Sequence, residues 1–327
     1  MNLLSEHPLK TEIAYEGLYK DRLNPLEENL WESKDFEIRG TREKLILHKK
    51  NQEAWYLFKK PKYGKVEIDT EVFNSILANE LQIKHVQYFP VRFRGQEGVL
   101  CKSFLDEHKE EPFGLTEMKA LICNYSGKPD LKEKMGRDVE ILKEHNIKNI
   151  FNIIKQRGYE DSILKDFFKM IGLSALIGHG DRHWCNYGFL TSKKRADNVK
   201  FSPIYDTSSG YLTEIQEESK LKEKMRELDD EEWYQAKARI KGLCKITIPE
   251  DYKATHFDLL TYILKDTDMR EYREDISLAF EGYSSRLVQA ILKRFFPNLT
   301  EMRKQIILKI LDKRASIGIK IIRGKNA

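Results

Sequence analysis

The stretch Ile177-Gly-His-Gly-Asp181-Arg-His183-Trp-Cys-Asn186-Tyr-Gly-Phe-Leu190 places an acid, an imidazole and a carboxamide within residues 181–186, directly after an apolar run. A second acid follows in Phe201-Ser-Pro-Ile-Tyr205-Asp206-Thr-Ser-Ser-Gly210. Phosphoryl transfer asks a protein for little covalent chemistry and much charge placement: an acid near the attacking hydroxyl, oxygen ligands for Mg²⁺, and a cation on the phosphates. Asp181 can be the first, and Asn186 with Asp206 the second. Any one of them alone has a plainer reading, because Asp and Asn form turns and caps. Their order and spacing together give the chemical reading its weight.

The step from Asp181 to Asn186 is 186 − 181 = 5 residues, the offset of the HRDxxxxN loop of protein kinases. With these residues the chain resembles the HipA-like kinases, whose catalytic loop reads roughly DxHxxN and whose metal-binding acid lies in a Tyr-Asp-x-x-Ser type segment, here beginning Tyr205-Asp206-Thr207-Ser208. The resemblance implies that Asp181 is the catalytic base, that Asn186 and Asp206 hold Mg²⁺, and that His183 props the loop. It also implies ATP as phosphate donor and a Ser or Thr hydroxyl of another protein as acceptor.

A cation for the phosphates must come from elsewhere. In Trp55-Tyr-Leu-Phe-Lys59-Lys60-Pro61, strand alternation puts Trp55, Leu57 and Lys59 on one face and Tyr56, Phe58 and Lys60 on the other, so both faces carry a lysine. The family's strand reads apolar, apolar, Lys, any residue, Pro; setting Pro61 on that proline selects Lys59 as the ATP lysine. Upstream, Gly40-Thr-Arg42-Glu-Lys44 resembles the family's GxQxK phosphate loop, in which a flexible turn lets backbone amides approach phosphate. Arg42 stands where the family has Gln, and a plain turn into a strand explains the segment equally well. Glu71 is where the family places an acid to orient the lysine; Glu80 is the competitor, and an acid near a helix N-terminus is favoured by the dipole in any case. Val99-Leu-Cys-Lys-Ser-Phe-Leu105 and Asp106 should form the hinge, with adenine read by main-chain groups near Lys102 and Phe104.

These residues need elements to carry them. Leu45–His48, Trp55–Lys59, Val86–Phe93 and Gly98–Phe104 have the β-branched and aromatic content of strands. Between the second and third, Asp69–Leu81 has an acid-rich start and apolar residues at Val72, Phe73, Ile76, Leu77 and Leu81, the spacing of an amphipathic helix. Beyond about residue 106 helical periodicity takes over, in Ile163–Ile177, in Leu287–Phe296 up to Pro297, and in Glu301–Leu311. The expected fold is therefore α+β and two-lobed, of the kinase-like type, with a small β-rich lobe over 1–105, a larger helical lobe over 106–327 and the ATP cleft between them. Full-length toxins of the HipA type carry an additional N-terminal subdomain, for which the 37 residues before Ile38 leave no room; the chain reads as a short form.

Composition sets the remaining bounds. A chain of 327 residues with 40% apolar and 33% charged residues can bury a core and keep a solvated exterior. No apolar stretch approaches the roughly 20 residues of a membrane span, and no signal-peptide pattern opens the chain; a cytoplasmic location is the default, with secretion without a cleavable signal as the alternative. Cys101, Cys123, Cys185 and Cys244 form no CxxC pair, so neither a disulfide framework nor a zinc site is suggested. The net charge of +5 is too balanced to demand nucleic acid, and no helix-turn-helix signal is present. The expected partners are ATP and a protein substrate, with no direct DNA binding and a monomeric state.

Two segments stand out by charge. Glu214–Lys237 reads as a solvated helix, and the basic run from Lys313 to Lys325 as a solvated terminus, with an anionic partner as the sharper alternative. Thr207, Ser208 and Ser209, just after the metal acid, are candidates for autophosphorylation, as is Ser33. Two rival functions remain. Gly180-Asp181-Arg182-His183 with Asn186 also looks like the GDRHxxN loop of phosphoinositide kinases, although Tyr205-Asp206-Thr207 lacks their Asp-Phe-Gly. A non-catalytic, toxin-like binding module is the other, against which Lys59, Asp181, Asn186 and Asp206 all stand intact.

Overall fold

The computed structural model describes residues 24–26, 28–34, 43–50, 54–105, 112–133, 138–228, 244–249 and 251–324. Six strands, β1 (Asn24–Pro25), β2 (Trp31–Lys34), β3 (Lys44–Lys49), β4 (Trp55–Lys59), β5 (Phe89–Phe93) and β6 (Gln96–Lys102), form one sheet in the order β1-β5-β6-β4-β3-β2. All neighbours are antiparallel except β1 with β5.

Alternation gives the sheet two different faces. Leu47, Phe58, Val91, Phe93 and Leu100 make a small outer cluster. The opposite face brings Leu57, Val99 and Cys101 into the main core, against the helix Lys65–Glu80. That helix also packs on the helix Ser285–Phe295. Enclosed on several sides, it buries polar Glu67, Thr70, Glu71 and Asn74 as well as Ile68, Val72, Phe73, Ile76 and Leu77, which is why its apolar stripe looks incomplete in the sequence.

The helix begins at Lys65, four residues before the expected start, for a local reason. Gly64 adopts φ 70°, and the Glu67 carboxylate accepts the Lys62 and Tyr63 N–H groups, at 2.7 and 2.9 Å, to fix the entering turn. The expected strand Val86–Phe93 is shorter than read. Its first residues pair instead with the segment before Asp206: Val86 N–H donates to Ile204 O at 2.9 Å and Ile204 N–H to Lys84 O at 3.0 Å.

Past residue 112 the fold is mostly helical, around the helix Asp161–Ile177, whose Phe167 and Phe168 are fully buried and each stabilise by about 1.5–3 kcal/mol. Its Gly172 lies against the helix Arg273–Glu281 so closely that a Cβ would stand 2.4 Å from Ile276 O. Gly178, at φ 67°, ends the helix in the left-handed conformation and turns the chain into the Asp181 loop. A second sheet, β7 (Phe113–Glu117), β8 (Gly188–Ser192) and β9 (Val199–Phe201), receives the chain after that loop. A Cβ on Gly188 would meet Thr116 O at 2.2 Å, so this crossing needs glycine.

The basic run near residue 313 is not a solvated terminus. One helix continues from Glu301 to Ile322, burying Leu311, Arg314, Ala315, Gly318 and Ile322, and Arg314 Nε donates to Ala175 O at 2.7 Å. Of the expected helix in 214–237, Glu218–Glu227 is helical, and residues 229–243 lie outside the described set. Among the described residues no helix is long and apolar enough to cross a membrane.

Candidate active site

Strand β4 ends on Lys59, and the inward face of the sheet aims its ammonium at the helix Lys65–Glu80 and at the segment after β9. Lys59 Nζ lies 2.6 Å from the Glu71 carboxylate and 2.8 Å from Asp206 Oδ1, with Lys59 only 4% and Glu71 1% exposed. Glu80 sits nine residues, roughly 13 Å, further along the same helix. Lys60 points to the other face and pairs with Glu43. Lys44 is directly opposite Lys59 in the β3–β4 register and shares its face. Gly40 lies outside the described residues.

One ammonium faces two carboxylates, Glu71 closed off from solvent and the Asp206 side chain 25% exposed. Replacing buried ion pairs by apolar groups is often neutral or stabilising, so the cluster is poorly explained by stability alone.

Asp206 has φ 54°, an unfavourable backbone for a non-glycine residue by about 1 kcal/mol. The main chain is clamped there: Asp206 N–H donates to the Tyr88 hydroxyl at 3.1 Å, and His179 Nε2 donates to Asp206 O at 2.8 Å. Burial holds the His179 pKa well below its ordinary value, so the imidazole is neutral. Tyr88 also turns its ring to the Lys59 ammonium, 5.9 Å from the centroid.

The Asp181 loop is tied to the Asp206 segment by Arg182. This fully buried side chain donates through Nη1 to Asn186 O at 2.7 Å and Tyr205 O at 2.9 Å. Burial lowers its pKa, and the Asp206 carboxylate works against that shift. Asn186 Nδ2 donates to Asp181 O at 2.8 Å, which leaves Oδ1 as the acceptor end of the amide. Asp181 itself is exposed. His183 Nδ1 accepts the Cys185 N–H at 3.2 Å, so the neutral ring carries its proton on Nε2. Burial lowers the His183 pKa, and neighbouring Asp181 opposes the change.

On the hinge side, Phe104 stacks on Tyr205 with centroids 5.6 Å apart, and Tyr205 donates to Cys185 O at 3.0 Å. The Lys102 side chain is exposed and lies on the sheet face opposite Lys59, so only its main chain can serve the cleft.

The structure thus brings together Lys59, Glu71 and Asp206 by direct contact, ties Asn186 to Asp181, and joins Phe104 to the Asp206 segment through Tyr205. Tyr88, His85, Asn74, His179 and Arg182 were not picked out from the sequence. His179 and Arg182 lie inside the conspicuous motif and could have been; nothing local marks Tyr88 or His85. Thr207 is fully buried and Ser208 3% exposed, with Thr207 Oγ donating to His85 Nε2 at 3.1 Å. Neither hydroxyl can receive a phosphate unless the segment opens.

Among the described residues no group of three or more His, Cys, Asp or Glu could cage a metal by itself. Asn186 Oδ1 and the Asp206 carboxylate are oxygen donors of the kind Mg²⁺ accepts, an ion usually bound through one or two such groups with water and phosphate completing its shell.

The HipA-like C-terminal domain family matches residues 36–277. The serine/threonine-protein kinase CtkA of Helicobacter pylori strain J99 is 25% identical over 249 residues, covering 73% of this chain and 67% of CtkA. The crystal structure of a Helicobacter pylori proinflammatory kinase CtkA superposes with a TM-score of 0.67 at 19% identity, over 86% of this chain and 93% of that one. HipA of Shewanella oneidensis MR-1, solved with HipB and operator DNA, gives 0.52 at 15% identity, over 99% of this chain and 75% of that one. At those identities the two structures establish a shared fold, the two-lobed kinase-like architecture. With the family match covering most of its length, the chain belongs to the HipA-like C-terminal domain family.

Proposed function

We propose that this protein is a Ser/Thr protein kinase that moves the γ-phosphoryl group of Mg·ATP to a protein hydroxyl. The observation that carries the reading is the buried contact of Lys59 with both Glu71 and Asp206, next to a loop that presents Asp181 to solvent. The likeness to CtkA supports the same chemistry.

On this reading residues 1–105 form the nucleotide lobe and 106–327 the catalytic lobe. Lys59, oriented by Glu71, donates to phosphate oxygens, and Lys44 on the same face adds a second cation. Gly40 belongs to the phosphate loop, and main-chain groups near Lys102 and Phe104 receive adenine. Asn186 and Asp206 would hold Mg²⁺, which when bound would neutralise charge along the phosphate chain. Asp181 orients the acceptor hydroxyl and takes its proton as the acceptor oxygen bonds to the γ-phosphorus and the bridging oxygen leaves with ADP. His183, neutral and held by Cys185 N–H, braces the loop.

The test is transfer of γ-labelled phosphate from Mg·ATP by the native chain and by Asp181→Ala, offered to the enzyme itself, to a generic basic protein and to phosphoinositide vesicles. Label on Ser or Thr that disappears with Asp181→Ala is the expected result. Label confined to lipid, or none despite nucleotide binding, would overturn the protein-kinase reading.

A further inference from the structure

Asn74 lies one helical turn after Glu71 and is fully buried. Its Nδ2 donates to Thr207 O at 2.7 Å, and its Oδ1 accepts from the Tyr211 hydroxyl at 2.9 Å. The orientation of the amide is not ambiguous: a main-chain carbonyl can only accept, so the nitrogen must face Thr207 and the oxygen must face Tyr211. Thr207 directly follows Asp206, whose left-handed backbone is held ahead by Tyr88 and behind by Asn74. Thus one turn of a single helix delivers Glu71 to the lysine and Asn74 to the chain that aims the Asp206 carboxylate.

The geometry points to Asn74 as a positioning residue for Asp206, oriented in turn by Tyr211, so that the lysine pair and the metal-binding acid are set as one rigid unit. The inference rests on the proposed kinase reading. It separates from ordinary core packing because a purely structural amide would govern stability alone, whereas this one governs how Asp206 meets a divalent ion. Replacing it by Ala leaves the Thr207 carbonyl without its donor and frees the left-handed residue to relax. Replacing it by Asp sets an acceptor against a carbonyl that can only accept. Tyr211→Phe removes one hydroxyl and keeps the ring that packs on Phe73.

The experiment measures three quantities on the full chain and on Asn74→Ala, Asn74→Asp and Tyr211→Phe. They are Mn²⁺ binding by electron paramagnetic resonance in the presence of ATP, ATP affinity in EDTA by fluorescence titration, and the Mg²⁺ concentration for half-maximal transfer. The expected result is a loss of metal affinity and of kcat of about 10- to 100-fold in the Asn74 variants, as is usual for groups that orient metal ligands, a smaller loss in Tyr211→Phe, and metal-free ATP affinity within about twofold of native. Folded variants with native metal affinity would overturn the positioning role while leaving the kinase reading intact. A native chain that binds no Mn²⁺ with ATP would overturn both. Where the Asn74 variants fail to fold, Tyr211→Phe decides: unchanged metal affinity in it sinks the inference.

Discussion

Lys59 and Glu71 meet at 2.6 Å across the join between a strand end and the first turns of the following helix, and both side chains are closed off from solvent. Their pairing is the fixed point of the cleft, to which Asp206 is the third member.

Removing the ammonium should therefore cost stability as well as turnover. Lys59→Met takes the ammonium from the buried Glu71 carboxylate, a loss of about 3–5 kcal/mol. Lys59→Met with Glu71→Gln should recover part of it, because neighbouring sites couple by about 0.5–3 kcal/mol. Urea denaturation of the two single variants and the double one measures the coupling, and strict additivity would count against the pair.

Asp181→Asn keeps the shape of the loop, whose contacts use the Asp181 main chain, and removes the basic oxygen. Turnover should fall about 10²- to 10⁴-fold with nucleotide affinity unchanged. Rapid-quench transfer and a nucleotide titration on the same protein check this, and a parallel loss of affinity would contradict the role.

Acid should unfold this protein through histidines that are buried neutral. His85 donates from Nδ1 to Val86 O and His145 from Nδ1 to Lys245 O; burial, the largest cause, lowers both pKa values from 6.5 to about 3. Below 6.5 the unfolded chain takes up protons that the folded chain refuses. Stability is thus level above about 6.5 and falls as pH drops toward 3, by about 1.4 kcal/mol per pH unit for each histidine. Urea midpoints at pH 7.5, 6.5, 5.5 and 4.5 should trace that loss, and His85→Asn should make the slope shallower.

The burial of Thr207 and Ser208 implies that both remain unmodified after incubation with Mg·ATP. Peptide mass mapping should find no phosphate on either, and substantial labelling of the folded protein there would show that the segment opens readily.

Gly172→Ala should destabilise by overpacking rather than by lost conformational freedom, since its new methyl would collide with Ile276 O. A cost of about 1–3 kcal/mol, read as a fall in thermal midpoint, is expected with ATP affinity preserved.

How much of this was readable in the sequence depends on distance along the chain. The Asp181–Asn186 tie spans five residues and declares itself as a motif. The helix carrying Glu71 was visible from its apolar spacing, whereas strand alternation left a lysine on each face and only the resemblance to the family's strand, with Pro61 on its proline, favoured Lys59 over Lys60. Tyr88 and Asn74 were silent because their contacts with Asp206 and Thr207 close over 118 and 133 residues, and no local pattern encodes such a meeting. The first part of the last helix, Glu301–Leu311, is legible from its spacing, but its continuation past residue 311 is not, for another reason. Its basic composition masked the buried positions Leu311, Ala315, Gly318 and Ile322, which share one face as far as the end of the helix.

Arg303, on that last helix, is buried and donates to Leu212 O at 3.0 Å and to Ile215 O, closing the turn that follows the Asn74 contact. The segment bearing Asp206 is thereby held by residues from the first and the final thirds of the chain. Synthesis runs from the N-terminus, so the Arg303 contacts with Leu212 and Ile215 form only after the whole Asp181 loop and the Asp206 segment have been made.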